Sequence, residues 1–247
     1  MNNITYIILA CNPDKGMKSY GSKGLLEFNK KKLFQHQFEW IRSNSKNKNY
    51  EILLICNFDL PRIQKITDPD IKIFSSVGSN PIYVACSKAK YDKLIFMDYG
   101  CLFKPKILNS ISCSVESSLL YIGDKKNQQL KIGCIIKDNY VEHIFLDLPE
   151  NKFCNIFSIS SIDKQKILDN IEYQRFNLLY FEILNMLISS GSLVKSSSIN
   201  SKDFLYFTQM RQKNDIGNTK KLPRHQRATA QGRWRMHLKR VNENRRW

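Results

Sequence analysis

The feature that most limits what this chain can fold into is a nearly continuous apolar run close to its start. Residues 4–10 read Ile-Thr-Tyr-Ile-Ile-Leu-Ala, with no alternation between polar and apolar positions. A run of this length is typical of a strand buried on both faces, as in a parallel sheet covered by helices. The next residues, 11–22, are polar and contain Pro13, Gly16 and Gly21, which favours a loop. The opening therefore predicts the first strand of an α/β domain.

Helix and strand patterns alternate after this loop. Residues 33–43 place Phe34, Phe38 and Ile41 at helical spacing, and residues 82–89 form a second predicted helix. Predicted strands lie at residues 51–56, 71–75 and 93–97. Strands and helices that alternate with short connections indicate a doubly wound, mostly parallel α/β sheet.

From residue 118 onward the predicted strands come closer together. They occupy residues 119–122, 130–136, 140–145 and 153–159, which suggests antiparallel pairing added to the parallel half and hence a mixed sheet. Predicted helices follow at residues 161–171 and 175–189. Residues 193–207 are predicted to return as edge strands.

Charge is distributed unevenly along the 247 residues. The net charge is +17, and residues 218–247 supply +9 of it, from ten basic residues and a single acid, Glu243. The body holds four arginines among many lysines, whereas residues 218–247 hold seven arginines and three lysines. Because the composition changes between Asp215 and Lys220, we predict an α/β domain at residues 1–217 and an Arg-rich C-terminal arm at residues 218–247.

The residue types in the arm are those that bind polyanions. Arg offers a planar fork to phosphate groups and stacks on bases, and aromatic residues interleaved with basic ones suit RNA or DNA. If the arm is helical, Trp234, Leu238 and Val241 share one face. A protein subunit of a large assembly, anchored by Trp234 and Leu238, stays open as the partner, as does a disordered solubilising or cloning-derived extension. The predicted contact residues are Lys220, Lys221, Arg224, Arg227, Arg233, Trp234, Arg235, Lys239, Arg240, Arg245 and Arg246.

The cysteine and hydropathy patterns indicate the compartment in which the protein is expected to work. The seven cysteines are scattered singly, with no Cys-x-x-Cys pair, so structural zinc is not expected. An odd, unclustered set suggests a reducing compartment. No stretch approaches the roughly 18 apolar residues of a membrane span. We expect a soluble protein with no membrane partner, in the cytoplasm or within a nucleoprotein or virion particle.

Short motifs occur in a defined order along residues 1–210. They are Leu9-Ala10-Cys11-Asn12, Gly16-Met17-Lys18, Ser22-Lys23-Gly24-Leu25-Leu26, the segments 30–37, 51–57 and 93–103, and Glu182. In this order they resemble the nucleotide-diphospho-sugar transferase superfamily, particularly the sugar-phosphate and choline-phosphate nucleotidyltransferases. That family opens with Leu-Ala-Ala-Gly, a basic Gly-rich loop and Pro-Lys-x-Leu. The resemblance implies a GT-A-like nucleotidyltransferase fold.

The resemblance also implies a nucleotide site at the opening strand and loop. Backbone N–H groups of the loop would cradle the phosphates, and Lys23 would match the family lysine that contacts the phosphoryl groups. Two departures damage the loop: Asn12 replaces a glycine, and Pro13 removes an N–H donor. The implied nucleotide-binding residues are Leu9, Ala10, Cys11, Asn12, Lys15, Lys18 and Lys23.

The metal site is where the sequence departs most from the family. The family holds Mg²⁺ through carboxylates, but its first Asp falls on Gly100 or Cys101 here, and its second falls near residues 206–208, which read Tyr-Phe-Thr. Asp98 could replace the first ligand if the strand end bulges; otherwise it is a buried or capping residue. We therefore expect no catalytic residues and no cofactor, with Lys23, Asp98 and Mg²⁺ taking part only if activity survives.

Two hypotheses about function follow. The first is a degenerate nucleotidyltransferase-like domain that acts as a structural or binding component of a larger nucleoprotein assembly, docked by its arm. The second is an active Mg²⁺-dependent enzyme that transfers a cytidylyl or similar group to a sugar phosphate or phosphorylated alcohol. The missing carboxylates favour the first.

Overall fold

The computed structural model describes residues 3–11, 23–45, 49–123, 130–148, 150–171 and 178–206. The strands are β1 (Ile4–Ala10), β2 (Glu27–Phe28), β3 (Lys31–Lys32), β4 (Tyr50–Cys56), β5 (Lys72–Ser75), β6 (Lys93–Asp98), β7 (Cys101–Phe103), β8 (Ser117–Ile122), β9 (Ile132–Lys137), β10 (Tyr140–Leu146), β11 (Lys152–Ile159), β12 (Val194–Ser198) and β13 (Phe204–Tyr206). The α-helices are α1 (Leu33–Asn44), α2 (Leu60–Gln64), α3 (Pro81–Lys88), α4 (Ile107–Ser112), α5 (Ser161–Asn170) and α6 (Tyr180–Ser189), and short 3-10 helices span Lys23–Leu25 and Ser201–Asp203.

One nine-stranded sheet organises these elements, in the order β5-β4-β1-β6-β11-β8-β12-β10-β9. Its first four strands are parallel, with β1 between β4 and β6. Helices cover both faces of this half, since α1 packs into one core and α3 into the other. The prediction of a doubly wound, mostly parallel start to a mixed α/β sheet is confirmed.

Strand β1 shows why the opening run is apolar throughout. Tyr6 and Ile8 point into the core that contains α1, whereas Ile7 and Leu9 point into the core that contains α3. Alternate residues of a strand face opposite sides of a sheet, so a strand covered on both sides has no polar face. Burying each large apolar side chain contributes about 1.5–3 kcal/mol.

The second half of the sheet is mostly antiparallel and closes on itself. Strand β11 pairs antiparallel with both β6 and β8, and β9 returns to pair with β11 where Lys152 lies opposite Gly133. Gly133 permits this contact because a Cβ there would lie 2.6 Å from the carbonyl oxygen of Glu150. Strands β11, β8, β12, β10 and β9 therefore form a small closed ring.

The prediction of edge strands in residues 193–207 is wrong for β12. Strand β12 lies inside the sheet, parallel to β8 on one side and antiparallel to β10 on the other. It reads Val-Lys-Ser-Ser-Ser, so its sequence carries little of the apolar signal by which interior strands are recognised. Strand β13 leaves the sheet and pairs with β7 instead. None of the helices within the described ranges has the length and apolar character needed to cross a membrane.

Candidate functional site

The direction in which the chain crosses the sheet marks one edge as the candidate site. From β1 the chain moves to β4 and β5 on one side, then returns to place β6 on the other side of β1. Ligands of open α/β sheets bind outside the carboxyl ends of the strands at such a switch point. Cys11 follows β1 and Asp98 ends β6 at this point, so the geometry brings together two residues singled out from the sequence.

Asp98 belongs to a turn that is held from several sides. Its Oδ1 accepts a hydrogen bond of 2.7 Å from the backbone N–H of Gly100. The buried Gln37 of α1 donates from Nε2 to the carbonyl oxygens of Asp98, at 3.0 Å, and Cys101, at 2.8 Å. The backbone N–H of Tyr99 donates to the Leu9 carbonyl at 3.2 Å, which ties the turn to β1. The Asp98 carboxylate thus caps its own turn, in the capping role that the sequence left open.

Lys23 is placed by its neighbour Gly24. A Cβ on Gly24 would lie 2.0 Å from a ring carbon of Phe34, so the short helix Lys23–Leu25 rests directly on α1 at that ring. The Phe34 ring in turn stacks on Tyr99, with centroids 6.3 Å apart, immediately after Asp98. The short helix that contains Lys23 and the turn that contains Asp98 are therefore connected through the stacked rings of Phe34 and Tyr99.

The last two side chains of β1 are buried and do not line the candidate site. Leu9 and Ala10 are buried in opposite cores, so they can offer only backbone atoms to a nucleotide. The Cys11 thiol donates to the Ile55 carbonyl and lies 3.5 Å from the Ser76 hydroxyl oxygen. Burial raises the pKa of the Cys11 thiol to about 12, against the lowering effect of the Ser76 hydrogen bond. The thiol stays protonated at neutral pH and is not a nucleophile.

The two positions where the family resemblance places metal carboxylates are neighbours in the fold. Strands β7 and β13 pair antiparallel with Tyr206 opposite Cys101, so the segment near residue 206 lies beside the turn that contains Gly100. Neither segment supplies a carboxylate at these positions. The alignment is thus spatially consistent, but the residue types do not match those of a Mg²⁺ site.

Asp203 directly precedes β13, and its carboxylate is paired with basic side chains. It forms ion pairs with Lys104 and with Lys106, the latter at 2.9 Å. Burial raises the pKa of Asp203, but the hydrogen bonds from the two lysines outweigh this and hold the pKa below its usual value. Asp203 is therefore already neutralised by the two lysines. Within the described ranges, no three His, Cys, Asp or Glu residues come together as a metal site.

Several residues implicated by the sequence lie outside the described ranges. They are Asn12, Lys15, Lys18 and the arm residues Lys220, Lys221, Arg224, Arg227, Arg233, Trp234, Arg235, Lys239, Arg240, Arg245 and Arg246. Their roles, and the domain boundary at residue 217, stay predictions.

Gln37 is the residue of this site that the sequence reasoning missed. It lies three residues after Phe34 and four before Ile41, on the buried stripe of α1. A polar residue in an apolar stripe needs a hydrogen-bond partner, and that signal was present in the sequence. Its partners could not be identified, because the Asp98 turn is 61 residues away along the chain.

Comparison with known proteins gives a likeness in structure only. No protein-family model and no curated protein sequence matches this chain. The CTP:phosphocholine cytidylyltransferase of Streptococcus pneumoniae superposes with a TM-score of 0.64 at 14% identity, covering 88% of this chain and 99% of that one. The inositol-1-phosphate CTP transferase of Thermotoga maritima gives 0.61 at 11% identity, over 78% and 84% of the two chains.

A third similar structure is the nucleoside-diphosphate-sugar pyrophosphorylase of Vibrio cholerae, with a TM-score of 0.62, 11% identity and coverage of 85% of this chain and 98% of that one. In each of the three cases the likeness extends over more than three quarters of both chains. At such low identity the likeness concerns the fold and not the activity. The resemblance found in the sequence is thus confirmed at the level of architecture: this chain has a nucleotidyltransferase-like fold.

Proposed function

We propose that this chain is a nucleotidyltransferase-like domain that has lost metal-dependent transfer and serves as a binding component of a nucleoprotein assembly. The pairing of β7 with β13 is the observation that supports the loss of metal-dependent transfer. It brings Cys101 and Tyr206 side by side, at the two places where the related enzymes would need carboxylates, and neither residue can bind Mg²⁺.

The chemistry of nucleotidyl transfer explains why this matters. A phosphate oxygen attacks the α-phosphorus of a nucleoside triphosphate in line, and pyrophosphate leaves. Catalysis of such transfers consists mainly of positioning and of neutralising the negative charge that the phosphates carry. A divalent ion supplies much of that charge when bound, but it needs carboxylates to hold it. The Asp98 carboxylate caps its own turn, and Asp203 is paired with lysines.

What remains at the site suits binding. In this proposal a phosphate binds at the carboxyl end of β1 beside the helix Lys23–Leu25, and Lys23 is the cation that contacts it. The arm adds +9 at residues 218–247, and such a density of charge binds nucleic acid chiefly by releasing counterions from its phosphates. In this proposal the protein works in the cytoplasm or inside a nucleoprotein or virion particle, with RNA or DNA as the partner.

One observation favours a second candidate function. Asp98 lies at the carboxyl end of β6, at the switch point of the sheet. The next residue, Tyr99, stacks on Phe34, which is the ring that the helix Lys23–Leu25 contacts. If the Gly100 contact opens, Asp98 is placed to ligate Mg²⁺, and the chain would be an active nucleotidyltransferase. Two of the structurally similar proteins are named for CTP, so cytidylyl transfer to a sugar phosphate or phosphorylated alcohol is the form to test.

A pyrophosphate-release assay separates the two functions. Purified protein is incubated with Mg²⁺, each of the four ribonucleoside triphosphates, and sugar phosphates or phosphocholine as acceptors. We expect no release above background. Turnover above about 1 s⁻¹, the low end for ordinary enzymes, would overturn the proposal, and its loss in Asp98→Asn would assign the metal to Asp98.

A further inference from the structure

Helix α6 carries very little charge for a helix with one side at the protein surface. Glu182 is its one charged residue among ten, whereas the neighbouring α5 has four among ten. The side of α6 that faces away from the core holds Glu182, Asn185, Met186 and Ser189, which are partly or fully exposed. A helix with apolar residues on its outer as well as its inner side is typical of burial on both sides. Loss of charge and enrichment in Met are typical of the centre of a protein interface.

A groove of about 610 Å³ runs along this side of α6, between α6 and α5. Buried isoleucine and leucine side chains of both helices form its floor, and His143 of β10 lines it at the side. The His143 ring packs on Phe145 with ring centroids 4.2 Å apart, and Ile135 of β9 pairs with His143. Phe145 and Ile135 are 43% and 40% exposed. The groove thus continues into exposed apolar residues. We call the whole region the α6 surface, formed by Glu182, Met186, Ser189, His143, Phe145 and Ile135.

The charged groups of the groove lie at opposite ends of α6. Glu182 is in the first turn, where its carboxylate accepts a hydrogen bond of 2.6 Å from the Leu179 backbone N–H. Lys166 lies beside the other end, because its Nζ donates at 2.7 Å to the hydroxyl of Ser192, just after α6. Asp163 is 3.8 Å from Lys166, but its side chain is 6% exposed against 32% for the lysine. Lys166 is therefore the charge that reaches the surface, and roughly 10 Å of uncharged helix separates it from Glu182.

This order of charges is complementary to itself. A two-fold axis through the middle of α6 would set two copies of the helix antiparallel, so that Glu182 of each copy faces Lys166 of the other. Interfaces of this kind use the same surface on both subunits. Met186 lies four residues after Glu182 and would meet its own counterpart at the axis. We infer that two copies of this chain associate through the α6 surface as a symmetric dimer. The inference does not depend on the proposed function.

The net charge limits where two copies can meet. The chain carries +17, so two copies repel each other in most orientations. The α6 surface offers apolar contacts through Met186, Phe145 and Ile135, and the charges at its ends attract across the axis. A partner of different sequence would not require opposite charges at symmetric positions, and for this reason we assign the surface to a second copy.

Sedimentation velocity of the nuclease-treated, full-length protein tests the inference. Concentrations from about 1 to 100 μM cover dissociation constants in the micromolar range. We expect a monomer–dimer equilibrium that persists in about 500 mM NaCl, because salt screens the repulsion between two basic copies. A monomer at every concentration would overturn the inference. So would a dimer that dissociates in this salt, as one bridged by nucleic acid on the arm should.

Met186→Lys assigns the contact to the α6 surface. The substitution removes an apolar group at the axis and places two like charges there, so it should raise the dissociation constant at least about tenfold. The lysine stem can lie along the groove with its amine in water, and circular dichroism checks that the fold is kept. Val77→Lys is the matched control, because Val77 is 69% exposed and follows β5, at the opposite end of the sheet order from β10 and β9. It should leave the dimer unchanged.

Glu182→Gln tests the antiparallel arrangement without disturbing the helix. Gln keeps the capping contact to the Leu179 N–H but removes the charge, and losing two symmetric surface ion pairs should raise the dissociation constant about twofold to tenfold. Glu39→Gln is the control, because it removes an exposed ion pair with Lys31 on α1, across the sheet from α6. A dimer that neither Met186→Lys nor Glu182→Gln weakens would overturn the inference, whatever the arm binds.

Discussion

Gly24 lies so close to Phe34 that a side chain cannot be inserted between them. The Cβ of an alanine at residue 24 would meet the Phe34 ring at 2.0 Å, and that ring also stacks on Tyr99 beside Asp98. The glycine therefore fixes the distance between the Lys23 helix and the Asp98 turn.

The first prediction concerns this contact. Gly24→Ala should displace the helix Lys23–Leu25 and lower the free energy of unfolding by about 1–3 kcal/mol, the usual cost of overpacking. Chemical denaturation measures the change. Gly123→Ala is the control, because the nearest atom to a Cβ there is 3.9 Å away. Equal stability of the two variants would show that the Lys23 helix is not held against α1.

The second prediction separates fold from ligand binding. If Lys23 and the loop backbone still bind phosphates, a ribonucleoside triphosphate at ten times its dissociation constant stabilises the protein by about 1.4 kcal/mol. For a domain of this size that raises the melting temperature by about 3–6 °C. Lys23→Ala should abolish the shift. Lys195→Ala is the control and should keep it, because Lys195 is an exposed lysine on β12, which β6, β11 and β8 separate from β1 in the sheet. No shift with any nucleotide would mean that the site is vestigial.

The third prediction concerns the arm. Deleting the residues after Asn218 removes ten basic residues and none of the described strands or helices, so the body should keep its melting temperature. Binding to RNA or DNA should fall sharply. In the intact protein, six or more phosphate contacts would reduce affinity on the order of a thousandfold between 50 and 200 mM salt. Loss of folding in the truncated protein would show that residues after 218 belong to the domain core.

The fourth prediction concerns the buried carboxylate of Asp163 on α5. Asp163 accepts hydrogen bonds from the hydroxyls of Ser117, Ser160 and Ser192, and so joins β8, α5 and the segment before β12. Asp163→Asn replaces an acceptor with a donor and should cost about 2–3 kcal/mol of stability. Asp169→Asn, an exposed change on the same helix, should cost less than 0.5 kcal/mol or so.

The fifth prediction is a pH dependence. Glu51 accepts hydrogen bonds from Lys72, the Lys90 backbone and Thr5. Burial raises the pKa of Glu51, but these three bonds outweigh it and hold the pKa below the usual value. A lowered folded pKa stabilises the protein above the unfolded value, about 4.3, and this contribution is lost as the pH falls through the folded pKa.

Denaturation curves recorded between pH 6 and pH 3 give the measurement for Glu51. Glu51→Gln should flatten the loss of stability below about pH 4.3, whereas Glu142→Gln, at a weak ion pair 3.9 Å from Lys137 on the surface, should leave it unchanged. An identical acid transition in all three proteins would mean that the Glu51 carboxylate gains nothing on folding.

The sequence was informative where burial is continuous or strictly periodic. Strand β1 begins and ends at the predicted residues, and α1 differs from its prediction by one residue at its end. Short elements such as α2, α4 and the β2–β3 pair were missed, because a stretch of two to six residues holds too little periodicity to be recognised. Strand β12 was misplaced because its interior position depends on partners far away along the chain.

Only part of the candidate site, like only part of the fold, could be predicted from the sequence. The position of Asp98 at the end of β6 and the absence of carboxylates at residues 100–101 and 206–208 are visible in the sequence. The clamp by Gln37 and the pairing of Tyr206 with Cys101 join segments 61 or more residues apart, and no local pattern encodes them.

The interior position of β12 sets the order in which the molecule can be completed. This strand is synthesised after β8 and β10, yet it must enter between them, and their facing edges are otherwise open. Until then the unpaired edges of β8 and β10 can recruit a strand from another chain. A nascent or truncated chain that stops before Val194 is therefore the form of this protein most prone to aggregate, and late arrival of a serine-rich strand ends that exposure.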